Sequence, residues 1–134
     1  MIAGLQKMTL LDYHGKVACT VFLSGCNFRC PFCHNASLVV RDRGDGWIEE
    51  AELLSFLESR KNKLSGVCIS GGEPTLYPEL PPFIKKIKDM GFAVKLDTNG
   101  SRPDVLRAAI EQGLSLMPKP WAWKARASFQ RIWT

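Results

Sequence analysis

The sequence predicts an α/β fold of parallel strands joined by helices, and two observations carry that expectation. Three short apolar segments rich in β-branched residues each run into a glycine-containing loop, and a helical pattern follows each of them. Strand, loop and helix repeated in that order require parallel strands linked by right-handed crossovers. Ligands in such folds bind at the carboxyl ends of the strands, so the three loops that follow the strands are the places to look for chemistry.

The first strand is expected over residues 17–23, where an apolar run stops at Ser24 and Gly25. A polar, glycine-punctuated connection over 41–46 leads to a helix over 49–61, with Leu53, Leu54 and Leu57 on one face and acids in its first turn. The second strand, 66–70, ends in Gly71 and Gly72. A helix over 78–90 turns Leu80, Phe83, Ile84 and Ile87 inward and Lys85, Lys86 and Lys88 outward, and Gly91 stops it. The third strand, 92–96, is closed by Asp97, Thr98, Asn99 and Gly100. A third helix, 103–112, has Pro103 in its first turn and Gly113 beyond its end.

With 134 residues, 46% hydrophobic and 23% charged, the chain has the composition of one globular domain able to bury a core. No stretch approaches the roughly 18 apolar residues of a membrane span, and residues 1–11 lack the features of a signal peptide, so a cytoplasmic protein without a membrane partner is expected. The net charge of +5 invites a nucleic-acid reading, but its location argues against one. Residues 114–134 hold Lys119, Lys124, Arg126 and Arg131 and no acid, so the excess belongs to that stretch and not to a basic face of the domain.

Five cysteines, three of them at Cys26, Cys30 and Cys33, fit a disulfide framework poorly and a reducing compartment well. The C-x3-C-x2-C spacing in a loop after a strand can set three thiolates around one face of an iron–sulfur cluster, leaving one iron of a [4Fe-4S] cube open to a ligand. A structural zinc site with His34 or Cys68 as fourth ligand is the alternative, although closed zinc sites usually take a second cysteine pair and none exists here. Cys19 and Cys68 lie inside apolar strands and read as small hydrophobes. The loop over 71–74 is either a tight strand-to-helix turn or a backbone surface for a ligand, with Glu73 a polar partner or a brace. Asp97 to Gly100 is equally consistent with a plain turn.

Cys26, Cys30 and Cys33, with the aromatic Phe32 before the third cysteine, resemble the cysteine motif of the radical S-adenosylmethionine superfamily. Gly71, Gly72, Glu73 and Pro74 resemble its second motif. The resemblance implies a partial (β/α) barrel of parallel strands with outer helices. It also implies a [4Fe-4S] cluster on the three cysteines, chelated at its open iron by S-adenosylmethionine. An electron from the cluster then cleaves the cofactor to a 5′-deoxyadenosyl radical. By the same resemblance Phe32, His34, Gly71, Gly72, Glu73, Thr98 and Asn99 contact the cofactor, and Asp97 and Thr98 lie near a monovalent cation. Cys33-His34-Asn35 and Asp97-Thr98-Asn99-Gly100 are similar to activases of glycyl radical enzymes. Residues 3–7 and 11–13 resemble the activating protein of anaerobic ribonucleoside-triphosphate reductase, with His14 where that family usually has proline. The implied partners are the large reductase subunit, which would receive a glycyl radical, and a flavodoxin or ferredoxin donor. A different radical enzyme and a non-catalytic zinc module are the competing readings.

The resemblance is expected to cover a core over residues 1–113 and to end near Gly113. Residues 114–134 read as a basic, Trp-rich tail in which Pro118 and Pro120 exclude a central strand and no strand is expected. The barrel is then incomplete at the C-terminus. Either a frame change or fragment, or an amphipathic tail laying Trp121, Trp123, Phe129 and Trp133 over exposed core, accounts for that pattern, and assembly of the cluster without robust turnover is the expected behaviour.

Overall fold

The computed structural model describes residues 2–27 and 46–113, and the backbone of Ser115–Pro118. Five strands form one sheet in the order β1 (Ile2–Thr9), β2 (Ala18–Leu23), β3 (Gly66–Gly71), β4 (Ala93–Thr98) and β5 (Ser115–Pro118). β1 pairs antiparallel with β2, and every other pairing is parallel. Helix α1 (Glu50–Ser59) precedes β3, α2 (Leu80–Asp89) links β3 to β4, and α3 (Pro103–Glu111) links β4 to β5. No helix among the described residues is long and apolar enough to cross a membrane.

The register divides the sheet into two faces. Cys19, Val67 and Val94 stand in one cross-strand row and Val21, Ile69 and Leu96 in the next but one, all facing the helices. They pack against Leu53 and Leu57 of α1, Phe83, Ile84 and Ile87 of α2, and Leu106 and Ala109 of α3, which forms the single described core. The row between them, Thr20, Cys68 and Lys95, faces the opposite side and is polar. The two-residue period of a strand sends the chain's apolar and polar residues to different faces, so the helix-covered side is dry and the other carries charge.

The helices follow the sequence periodicity. Pro103 opens α3, and Gly91 and Gly113 follow α2 and α3 at φ 96° and 79°, a backbone region glycine enters without a Cβ clash. Leu54 is only partly buried, whereas Leu53 and Leu57 are the inward residues of α1. Ile84 is fully buried, and removing one methyl there leaves a gap the packed sheet cannot fill; Ile84→Val is expected to cost about 1 kcal/mol, read as a shift of the urea midpoint at unchanged slope.

Three features depart from the sequence-based expectations. β1 has no alternating pattern to betray it: only its ends, Ile2 and Thr9, are buried, and backbone pairing with β2 holds it. β4 runs to Thr98, so Asp97 and Thr98 are strand residues and not the turn after a strand. Residues 115–118, expected to form no strand, form β5. Pro118 sits at its last position opposite Thr98, and β5 lies at the edge of the described sheet, where strands tolerate proline.

Candidate functional site

The carboxyl ends of β2, β3 and β4 meet on one rim. The loop after β3 packs directly on the segment after β2: the Gly72 amide donates to the Leu23 carbonyl at 3.0 Å and the Glu73 amide to the Gly25 carbonyl at 2.8 Å. A Cβ on Gly71 would stand 2.2 Å from the Leu23 oxygen, and the residue has φ 116°. A Cβ on Gly72 would stand 2.0 Å from the Gly25 oxygen and 3.2 Å from the Cβ of Cys26. The close approach these glycines permit is therefore to the backbone that carries the first cysteine, a role that spacing alone does not distinguish from approach to a ligand.

Glu73 is the brace of the rim. Its side chain is 1% exposed and accepts four hydrogen bonds. Oε1 receives the Thr75 amide at 3.2 Å, the Thr75 hydroxyl at 2.6 Å and the Thr98 hydroxyl at 2.7 Å, and Oε2 receives the Asn99 amide at 2.6 Å. A buried carboxylate is tolerable only when its lone pairs are met in this way. The Thr75 contacts cap the 3₁₀ turn Pro74–Leu76, and the Thr98 and Asn99 contacts bolt that turn to the end of β4.

A second clasp ties the cysteine segment to β4. Asn27 accepts from the Asn99 side-chain amide at 3.0 Å and donates to the Ser101 hydroxyl at 2.9 Å, while the Ser101 amide donates to Asn99 Oδ1 at 3.0 Å. Cys26, half-buried, thus lies between two fixed points, Gly72 on one side and Asn27 on the other.

On the polar face below the rim, Asp97 Oδ1 forms an ion pair with Lys95 Nζ at 3.1 Å, without the alignment of a hydrogen bond, and Oδ2 accepts from the Cys68 thiol at 3.6 Å. Lys95 Nζ also donates to the Asp12 carbonyl, and the Asp12 carboxylate accepts from the Thr20 hydroxyl at 2.6 Å. Burial, followed by the nearby Asp97 carboxylate, pushes the Cys68 thiol up to about 12, and burial pushes Cys19 up to about 11. Both stay protonated at neutral pH. Cys19 is the small hydrophobe its strand suggests; Cys68 is not, because it faces the polar side and bonds to Asp97.

The family model described as the Radical SAM superfamily matches residues 20–118. The chain belongs to the radical SAM superfamily. A protein of Methanocaldococcus jannaschii, named by inference a glycyl-radical enzyme activating enzyme, is 34% identical over 116 residues, covering 85% of this chain and 46% of that one. The pyruvate formate-lyase-activating enzyme of Clostridium pasteurianum is 34% identical over 103 residues, covering 74% and 43%. The 7-carboxy-7-deazaguanine synthase of Methanopyrus kandleri is 31% identical over 109 residues, covering 67% and 43%. The crystal structure of QueE from Escherichia coli superposes with a TM-score of 0.65 at 19% identity, covering 99% of this chain and 77% of that one, which establishes the fold. The chain spans less than half the length of these curated relatives. The match runs through β5, five residues past the expected end of the resemblance at 113.

Membership of the radical SAM superfamily implies a [4Fe-4S] cluster and S-adenosylmethionine. Of the residues expected to hold them, Cys26, Gly71, Gly72, Glu73, Thr98 and Asn99 are brought together on the rim. Cys30, Phe32, Cys33 and His34 lie outside the described residues. What the structure offers fits the implied groups: a half-buried thiol at a strand end, backed by a glycine backbone pressed against it. The side chains of Glu73 and Thr98 are engaged with one another. Asp97 and Thr98 are adjacent strand residues and their side chains part to opposite faces, one to Lys95 and one to Glu73. Sequence reading missed Asn27, Thr75, Asp12, Thr20 and Lys95. Lys95 had a signal, a lone cation inside an apolar strand; the others had none.

Proposed function

We propose that this chain is the cluster-binding and cofactor-binding part of a radical SAM activase that installs a glycyl radical on a partner enzyme. The observation that carries the reading is the coupling of the Cys26 segment to the Gly71–Gly72 loop at the carboxyl ends of β2 and β3, inside a stretch that matches the superfamily. Cys26, Cys30 and Cys33 would hold the cluster, which would supply the electron for reductive cleavage of S-adenosylmethionine. The chain's own residues supply position: Gly72 and Asn27 fix the first cysteine, and Glu73 fixes the glycine loop against the end of β4. The 71–73 loop is the proposed contact for the cofactor's amino group, with Phe32, His34 and Asn99 as further contacts by resemblance.

Activases are favoured over other radical enzymes by the relatives from Methanocaldococcus and Clostridium and by Cys33-His34-Asn35 and Asp97-Thr98-Asn99-Gly100. The large subunit of anaerobic ribonucleoside-triphosphate reductase is the proposed partner, on the resemblance of residues 3–7 and 11–13, with a flavodoxin or ferredoxin as electron donor. The Methanopyrus relative supports a second reading, a radical enzyme acting on a small molecule. A zinc module is disfavoured because Cys68, one of its two candidate fourth ligands beside His34, lies on the polar face of the sheet with its thiol donating to Asp97. The proposed core runs from residue 1 through β5 to 118.

Anaerobic reconstitution with iron and sulfide tests the reading. About four irons per chain and a reduced [4Fe-4S] paramagnetic signal that changes shape on adding S-adenosylmethionine are expected, with both lost in Cys26→Ala. Zinc as the only tightly bound metal under reducing conditions would overturn it. A glycyl radical signal on mixing with the large reductase, and none with other glycyl radical enzymes, selects the partner.

A further inference from the structure

The resemblance puts a monovalent cation at Asp97 and Thr98, and the residues present do not fit one. Thr98 is fully buried on the helix side of the sheet, where its hydroxyl donates to Glu73 Oε1 at 2.7 Å and accepts from the Gly100 amide at 3.1 Å. Its side chain presents nothing to the face on which Asp97 lies. Asp97 in turn already has a cation: Lys95 Nζ stands 3.1 Å from Oδ1, an oxygen that is buried and has no hydrogen-bond partner, so the ammonium is what balances its charge. The lysine is held in place from both ends. Its backbone sits between Cys68 of β3 and Ser115 of β5 in the sheet, its side chain is 11% exposed, and its ammonium also donates to the Asp12 carbonyl. Asp12 is fixed through its carboxylate to Thr20. A sodium or potassium ion at Oδ1 would have to share that position with a like charge, or evict it from a site built to hold it.

We propose that the Lys95 ammonium is the built-in counter-ion of Asp97, standing where the family's monovalent cation would bind, and that this chain is ordered at the end of β4 without sodium or potassium. The expectation of a cation comes from the radical SAM reading; the ion pair that replaces it does not depend on that reading.

The test compares the melting temperature of the full reconstituted chain, and its affinity for S-adenosylmethionine, in potassium, sodium and tetramethylammonium chloride at equal ionic strength. The wild-type chain is expected to give the same values in all three salts and to bind no thallium(I) in a thallium-205 magnetic resonance titration. Lys95→Met is expected to melt several degrees lower in tetramethylammonium chloride and to regain part of the loss in potassium or sodium, whereas Lys95→Arg keeps the salt-independent behaviour. A wild-type chain that gains stability or cofactor affinity specifically in potassium or sodium, or that binds one thallium ion, overturns the proposal. So does a folded Lys95→Met protein indifferent to the salt. Should Lys95→Met not fold, the wild-type salt series and thallium titration decide alone. Iron and sulfide counting on the same sample reports separately on the cluster, so a failure of the functional reading is distinguishable from a failure of the counter-ion.

Discussion

Replacing Glu73 with alanine is expected to destabilise the chain by about 4 kcal/mol, the largest effect of any single substitution on the rim. The Thr75 amide and hydroxyl, the Thr98 hydroxyl and the Asn99 amide would all lose their acceptor in a place without room for bulk water. Two of these are backbone groups that cannot rotate to a new partner. The loss is smaller in Glu73→Gln, about 2 kcal/mol, because a carbonyl oxygen can still serve the threonines while the amide nitrogen faces the Asn99 amide donor-to-donor. Urea unfolding of the three proteins checks the order. Iron retained after reconstitution should fall in the same order, since Glu73 holds Asn99 and Asn99 holds Asn27 beside Cys26.

Gly72→Ala should cost about 3 kcal/mol and lower the melting temperature by on the order of 10 °C. The added methyl would meet the Gly25 carbonyl oxygen at 2.0 Å, and that atom is backbone, so no side-chain rotation relieves the contact. The two segments must separate, which breaks the 2.8 Å bond from the Glu73 amide to the Gly25 carbonyl and moves the residue preceding Cys26. Iron content after reconstitution is therefore expected to drop more in this variant than in Ile84→Val, whose lesion lies in the helix-side core. Equal iron content in the two would mean that the position of Gly25 does not govern the cysteine loop.

Both effects arise from one design. A parallel sheet delivers its strand ends to one rim, but it does not fix the loops that follow. Here the glycine loop is sutured to the start of the cysteine segment by two backbone bonds and to the end of β4 by a single carboxylate, so the described ends of β2, β3 and β4 form one bonded network. Such bonding is what a site needs if it must hold a cluster and a cofactor in fixed relation.

The sequence by itself determined the helices, the three inner strands, the α/β class and the family, because each of those is written in local periodicity, in glycine and proline punctuation, or in a motif of fixed spacing. Leu80, Phe83, Ile84 and Ile87 identify the buried face of α2 without reference to any other element. Tertiary structure alone decided the rest. β1 and β5 exist because β2 and β4 offer them backbone donors and acceptors, and neither segment carries a pattern of its own. That Gly72 is small for Gly25, and that Glu73 serves Thr98 and Asn99, are facts about residues more than 20 positions apart along the chain, brought within reach only when the strands align. For Asp97 the partner is two residues away, yet the same principle holds: Lys95 and Asp97 share a face only because both lie in a strand, and a turn at Asp97 would have parted them.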